Sequence, residues 1–256
     1  MTTKHLVIPD TQVKPGVPLD HLSRVGQYIV DKRPDVVVMI GDFADMESLS
    51  SYDVGKKSFE GRRYQADIKA ARDGMELLVA PLVALNRQLA RRKEKQYRPR
   101  MVLTLGNHEN RITKAVENDA KWDGVISVKD LGYEEYGWEV IPFLEPIIID
   151  GIAYCHYFTT GVMGRPVTSA RALVNKKHMS ATMGHVQNTE LDMSQRRADG
   201  TPILGLFAGT YCLHDEAYLG PQGNPTHRQV WMKHEVQDGF YYPMPVSIQY
   251  LQKKYG

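Results

Sequence analysis

Asp35-Val-Val-Val-Met-Ile-Gly-Asp42 decides the fold. Val36 to Ile40 form an unbroken apolar run rich in β-branched residues, bounded by Pro34 before it and Gly41 after it. A run that short, with no polar residue alternating through it, reads as a strand buried on both faces, which is the habit of parallel sheets. Lys4-His-Leu-Val-Ile-Pro-Asp10 has the same form upstream, and Met101-Val-Leu-Thr-Leu105 has it downstream. Between the first two, Leu19, Leu22, Val25, Ile29 and Val30 recur at helical spacing and Pro34 supplies a stop, so residues 4–42 read as a βαβ unit.

Working outward, Ile68, Ala71, Met75, Leu78, Leu82, Leu85 and Leu89 predict one long helix, or two divided near Pro81. After Trp138 the pattern changes to short strands at 139–141, 147–149, 153–156, 181–183, 191–194 and 203–208, enough for a second sheet. No internal repeat and no linker rich in Gly, Ser or Pro divides the chain. The expectation is α/β: a two-layered mixed β-sheet sandwich flanked by helices. Residues 1–256 form one domain in this reading, with a helical insertion at about 46–99 and a partly irregular C-terminal tail at about 220–256.

The 256 residues are 42% hydrophobic and 24% charged, which places the chain among globular proteins rather than disordered or fibrous ones. No apolar run approaches the ~20 residues that span a bilayer, and Met1 to His5 lacks the regions of a signal peptide. A cytoplasmic address follows as the expectation, with Cys155 and Cys212 reduced. The net charge of +2 marks no general polyanion binder, but Arg87 to Arg100 concentrates positive charge locally. A solvated helix end accounts for that stretch; so would a track for nucleic acid or nucleotide, together with Lys176, Lys177, Arg196 and Arg197.

Asp10, Asp42, Asn107, His156 and His185 each follow an apolar strand. Ligands of open α/β sheets gather at the carboxyl ends of strands, so five such residues can converge on one crevice although the sequence scatters them. Carboxylate, amide oxygen and imidazole together suit a divalent cation. Taken singly, an Asp after a strand is an ordinary turn residue and a lone His an ordinary core residue.

In order and spacing these residues resemble the calcineurin-like metallophosphoesterases. That family's pattern is Asp-x-His, Gly-Asp-x-x-Asp, Gly-Asn-His-Glu or Asp, a lone His after a strand, and Gly-His-x-His. This chain has Asp10-Thr-Gln12, Gly41-Asp42-Phe-Ala-Asp45, Gly106-Asn107-His108-Glu109, His156 and Gly184-His185-Val-Gln187. The resemblance covers residues 6 to about 210. Glu109-Asn110-Arg111 is also similar to the Glu-Ser-Arg of the protein-phosphatase branch, and the chain's compact organisation is similar to stand-alone phosphoesterases of phage and bacterial genomes.

The resemblance implies the family's fold and a metal-dependent hydrolysis of a phosphate ester. Asp42 would bridge two metals about 3.5 to 4 Å apart, and a metal-bound hydroxide would attack phosphorus in line. Asn107, His156 and His185 would complete the second site and Asp10 would belong to the first. His108, paired with Asp45, would act on the leaving oxygen without ligating metal; Asn107, His108 and Arg111 would meet the substrate. Glutamines stand at positions 12 and 187 where the family has histidines. Both would serve the first metal, so that site becomes harder in ligand character and weaker for Zn²⁺ or Fe, unless the two amides only form hydrogen bonds. One or two divalent ions are therefore expected, Mn²⁺ ahead of Mg²⁺, Fe, Zn²⁺ or Ca²⁺. A phosphodiester of a nucleotide or nucleic acid is placed ahead of a monoester or phosphoprotein, with a metal-poor binding scaffold as the rival from another class. No membrane partner is expected, and the sequence assigns no oligomeric state.

Overall fold

The structure, a computed structural model, describes residues 2–216, 220–224 and 227–256. Its strands are β1 (Thr3–Ile8), β2 (Val36–Met39), β3 (Arg100–Thr104), β4 (Glu139–Ile141), β5 (Ile147–Ile149), β6 (Ile152–Tyr154), β7 (Thr159–Thr160), β8 (Arg165–Pro166), β9 (Ser180–Met183), β10 (Thr189–Arg196), β11 (Pro202–Ala208), β12 (Gln229–Gln237) and β13 (Phe240–Ser247). The helices are α1 (Asp20–Lys32), α2 (Tyr64–Arg91), α3 (Asn110–Asn118), α4 (Ala170–Lys177), α5 (Gly220–Gly223) and α6 (Ile248–Tyr255).

One sheet has the order β13-β12-β1-β2-β3-β4 and the other β10-β11-β9-β6-β5, with β7 and β8 as a separate hairpin. Each main sheet has parallel strands at its centre: β1, β2, β3 and β4 in the first, and β6, β9 and β11 in the second. Antiparallel strands complete both edges of the second sheet and one edge of the first. The register sets Ile8 opposite Met39 and Met39 opposite Leu103, so the carboxyl ends of β1, β2 and β3 finish level with one another.

Side-chain alternation explains why the founding strands read as continuous apolar runs. Val7, Val36, Val38, Ile40 and Val102 face Ile152, Tyr154, Leu204 and Leu206 of the other sheet. Leu6, Ile8, Val37, Met39 and Leu103 point the other way and pack with Leu22, Val25 and Ile29 of α1 and Met75 and Leu78 of α2. Helix α4 covers the outer face of the second sheet through Ala170 and Leu173. Both faces of the central strands are thus dry, and each such valine or leucine contributes ~1.5–3 kcal/mol by leaving water. The result is the two-sheet α/β sandwich flanked by helices that the sequence led one to expect.

Two details differ or resolve. Helix α2 is continuous through Pro81, since an apolar stripe running from Ile68 to Leu89 outweighs one lost backbone hydrogen bond. The tail beyond about 220, expected to be partly irregular, is mostly regular: β12, β13 and α6 occupy Gln229 to Tyr255. A buried Lys233 in β12 and two prolines, Pro243 and Pro245, in β13 interrupt the apolar signal there. β13 is an edge strand, where proline removes no ladder bond that the sheet needs.

Candidate metal centre

Asp10, Asp42, Asn107, His156 and His185 each sit within three residues of the carboxyl end of a parallel strand, namely β1, β2, β3, β6 and β9. Backbone and ring bonds then hold these strand ends together, within the second sheet and between the two sheets. Nδ1 of His156 donates to the carbonyl of Ile40, 2.9 Å away. The Gly184 N–H donates to the His156 carbonyl at 2.9 Å, and the His185 N–H donates to the Asp10 carboxylate at 3.1 Å.

The donors of four side chains meet in the resulting crevice. Oδ1 of Asn107 is 2.9 Å from Nε2 of His156 and 2.8 Å from Nδ1 of His185. Oδ2 of Asp42 is 3.3 Å from the same Nε2. One ligand atom from each of Asp42, His156 and His185 lies within 4.8 Å of the others, which is a cluster able to hold a metal ion. The Ile40 carbonyl can only accept, so Nδ1 carries the proton and Nε2 of the neutral ring turns a lone pair toward Asn107 and Asp42. Electron-pair donors facing one another in a buried site call for a cation among them. Without a metal a proton serves: although burial opposes it, the Asp42 carboxylate raises the pKa of His156 to about 9. Burial lowers that of His185 to about 4, leaving its imidazole neutral and ready to ligate. The donor set therefore fits a divalent cation.

Asp10 is fully buried, and burial pushes its carboxyl up to about 7 against the pull of His156. Gln12 is buried beside it and its backbone N–H donates to the Asp42 carbonyl at 2.9 Å, whereas Gln187 is half-buried in the loop after β9. Gln12, Asp42 and His185 all have positive φ, at 47°, 49° and 64°. Non-glycine residues rarely adopt that conformation, and its concentration among residues of one crevice is the pattern of strain stored at functional sites. Two motif glycines have a steric origin. A Cβ on Gly106 would lie 2.0 Å from Oδ1 of Asp42, and one on Gly184 would lie 2.3 Å from Oδ1 of Asp10.

His108 borders the cluster. Its Nε2 is 3.7 Å from Oδ2 of Asp42, and its Nδ1 is 2.8 Å from Oδ1 of Asp45, an ion-pair contact that lies off the line of a good hydrogen bond. Burial disfavours the imidazolium, but Asp42 and Asp45 outweigh it and set the ring above its usual value. Both carboxyls are in turn held well below the usual range: burial opposes this, and His108 is the leading opposing influence in each case. Arg111 is folded onto the same pair, with Nη1 donating to the Asp45 carbonyl at 2.7 Å and Nη2 3.2 Å from Nε2 of His108.

Three contributors escaped the sequence reading. Glu109 had a place only as part of a motif, yet its carboxylate accepts the backbone N–H groups of Gly106, Asp42 and Ala44 at 2.9–3.1 Å and so pins the β2 and β3 loops together. Lys14 lies 3.1 Å from Oδ2 of Asp45 and 2.8 Å from Glu216. His214 reaches the site indirectly, through Glu216 at 2.6 Å. No local signal marked Lys14, whose acidic partners lie 31 and 202 residues away. The Arg87 to Arg100 stretch lies elsewhere. It closes α2 and opens β3 at the amino ends of the strands, where Tyr97 donates to the Pro34 carbonyl, a strand's length from Asn107. α2 and α4 also cover opposite outer faces, so Lys176 and Lys177 do not join that stretch in one track. Cys155 and Cys212 are free and buried.

No protein-family model and no curated protein matches the chain. Among solved structures, YfcE, a phosphoesterase from E. coli, is 14% identical over 96% of this chain and 99% of its own, with a TM-score of 0.37. TT1561 of Thermus thermophilus is 8% identical over the same shares, with a TM-score of 0.35. Likeness this remote carries no residue roles with it. Among the described residues no helix is long and apolar enough to cross a membrane.

Proposed function

We propose that the protein hydrolyses a phosphate ester with the help of a divalent cation, Mn²⁺ first among the candidates. The observation that carries the reading is the meeting of Asn107 Oδ1, His156 Nε2, His185 Nδ1 and the Asp42 carboxylate in one buried crevice. A cation held there supplies Lewis acidity toward a phosphoryl oxygen and lowers the pKa of water. The chain's own residues do the rest. His108, whose protonated form Asp42 and Asp45 favour against burial, stands beside the cluster to give a proton to the leaving oxygen. Asp45 orients that ring, and Arg111 and Lys14 keep Asp45 ionised by pairing with its two oxygens. Asp10, with Gln12 and Gln187, forms the weaker, oxygen-rich side of the crevice, where a second ion would be held loosely.

The basic stretch that motivated the diester preference lies away from the site, so turnover decides between diester and monoester. Turnover of bis-p-nitrophenyl phosphate, p-nitrophenyl phosphate and single-stranded DNA under Mn²⁺, for wild type and His108→Ala, tests the proposal. The expected result is hydrolysis of at least one aryl ester, reduced ~10²–10⁴-fold in His108→Ala with Mn²⁺ content unchanged. Clear preference for the monoester would remove the diesterase reading. Little bound Mn²⁺ and no hydrolysis of any of the three would leave the metal-poor binding scaffold instead.

A further inference from the structure

Tyr157 follows the ligand His156 directly, and its ring lies 4.6 Å from that of the ligand His185, inclined by 39°. Phe143 meets Tyr157 edge to face, with centroids 5.6 Å apart and planes at 78°. The two rings come from different sheets: Phe143 follows the carboxyl end of β4 and Tyr157 that of β6, so both stand at the same end of the strands as the metal cluster. Their neighbours Tyr154 and Phe158 are buried core residues, whereas Tyr157 and Phe143 are each only half-buried. Rings whose sole task was to pack would be expected in the core; these remain at the rim of the crevice.

The turn that presents Phe143 is constrained. Pro142 to Glu145 is closed by the Glu145 N–H donating to the Pro142 carbonyl at 3.1 Å, and Leu144 within it has φ +66°. That position normally belongs to glycine or asparagine, and a partly exposed leucine gains nothing evident there by burial. Strain retained in a loop beside a reactive centre points to a role for what the loop displays.

We propose that Tyr157 and Phe143 form an aromatic wall at the rim of the metal centre, against which the ring of an aromatic phosphate ester, such as the base of a nucleotide, stacks. The proposal rests on the phosphoesterase reading for the placement of the phosphate. With a phosphoryl group on a cation held by His156 and His185, Tyr157 is an aromatic surface next to both ligands, within reach of an attached organic group. Stacking on an aromatic face tolerates any planar ring, so the wall selects aromatic over aliphatic esters without choosing one base.

Isothermal titration of the Mn²⁺-loaded protein with phenylphosphonate and methylphosphonate, neither of which requires turnover, tests this. The wild type should bind the phenyl compound about tenfold more tightly. Tyr157→Ala and Phe143→Ala should bring the two affinities together while methylphosphonate affinity and Mn²⁺ content hold, and Tyr157→Phe should keep the preference. Equal affinities in the wild type would overturn the wall. So would alanine variants that weaken both ligands alike, because the rings would then serve only to hold His185. A phenyl preference in a protein that hydrolyses no ester would leave the wall standing and overturn the hydrolytic reading alone.

Discussion

Two polar clusters bridge the same pair of sheets, and they are built in opposite ways. Around Lys233, in β12, the amine nitrogen Nζ donates to Thr182 Oγ1 at 2.5 Å and to the Tyr154 hydroxyl at 3.3 Å, and lies 4.3 Å from the centre of the Tyr241 ring. His5 continues the chain, with Nδ1 2.8 Å from the Tyr154 hydroxyl and Nε2 2.9 Å from Asp150. There, donors meet acceptors and the protein supplies its own donor side chain. Around His156 Nε2, acceptors meet acceptors in Asn107 Oδ1 and Asp42 Oδ2, and those contacts are completed by a cation from outside or by an added proton. The difference separates a buried polar group that ties a fold together from one that awaits a ligand, a distinction that burial alone does not make.

The comparison is most directly broken at Asp42. Asp42→Asn removes the charge that favours both His156 and His108 in their protonated forms and one edge of the metal cluster. Mn²⁺ affinity should fall by at least about 100-fold, with turnover at background, as measured by titration calorimetry and release of p-nitrophenol. Unchanged Mn²⁺ affinity would mean that the cation is held elsewhere.

The proton that stands in for the metal gives a sharper reading. His156 must lose it to bind Mn²⁺, and its pKa of about 9 lies above the ordinary 6.5. Affinity should therefore rise up to about tenfold per pH unit from pH 7 to 9 and level off above that window. A profile flat across those pH values would remove His156 from the ligand set.

The smallest effect belongs to Lys233. Burial holds its amine well below the ordinary lysine value of 10.5, so the unfolded chain binds a proton that the folded one does not. Stability from this group is therefore diminished at neutral pH and recovers as pH rises toward 10.5, with a slope approaching ~1.4 kcal/mol per pH unit. Lys233→Met should abolish that slope in denaturation measured at pH 7 and 9, shift stability at pH 7 by no more than about 1–3 kcal/mol, and leave Mn²⁺ affinity alone. A large loss of Mn²⁺ would show that the two clusters are one.

Much of this molecule was legible in its residues. The unbroken run of Val36 to Ile40 fixes a doubly buried strand, because only the interior of a sheet leaves no face for polar side chains. The placement of Asp10, Asp42, Asn107, His156 and His185 after such runs identified the candidate ligands, because parallel strands bring their carboxyl ends to one edge. Other features had no local signal. β12 and β13 were obscured by Lys233 and two prolines, whose tolerance depends on a tyrosine-lined interior and an edge position that only the assembled sheets create. Glu109 acquires its partners across a gap of 67 residues to Asp42, and Lys14 meets Glu216 across 202. Tertiary structure also separated Arg87 to Arg100 from the crevice and set Phe143 against Tyr157. Periodicity reports which face of an element is dry; which distant side chains share a point in space is settled only when the two sheets close on each other.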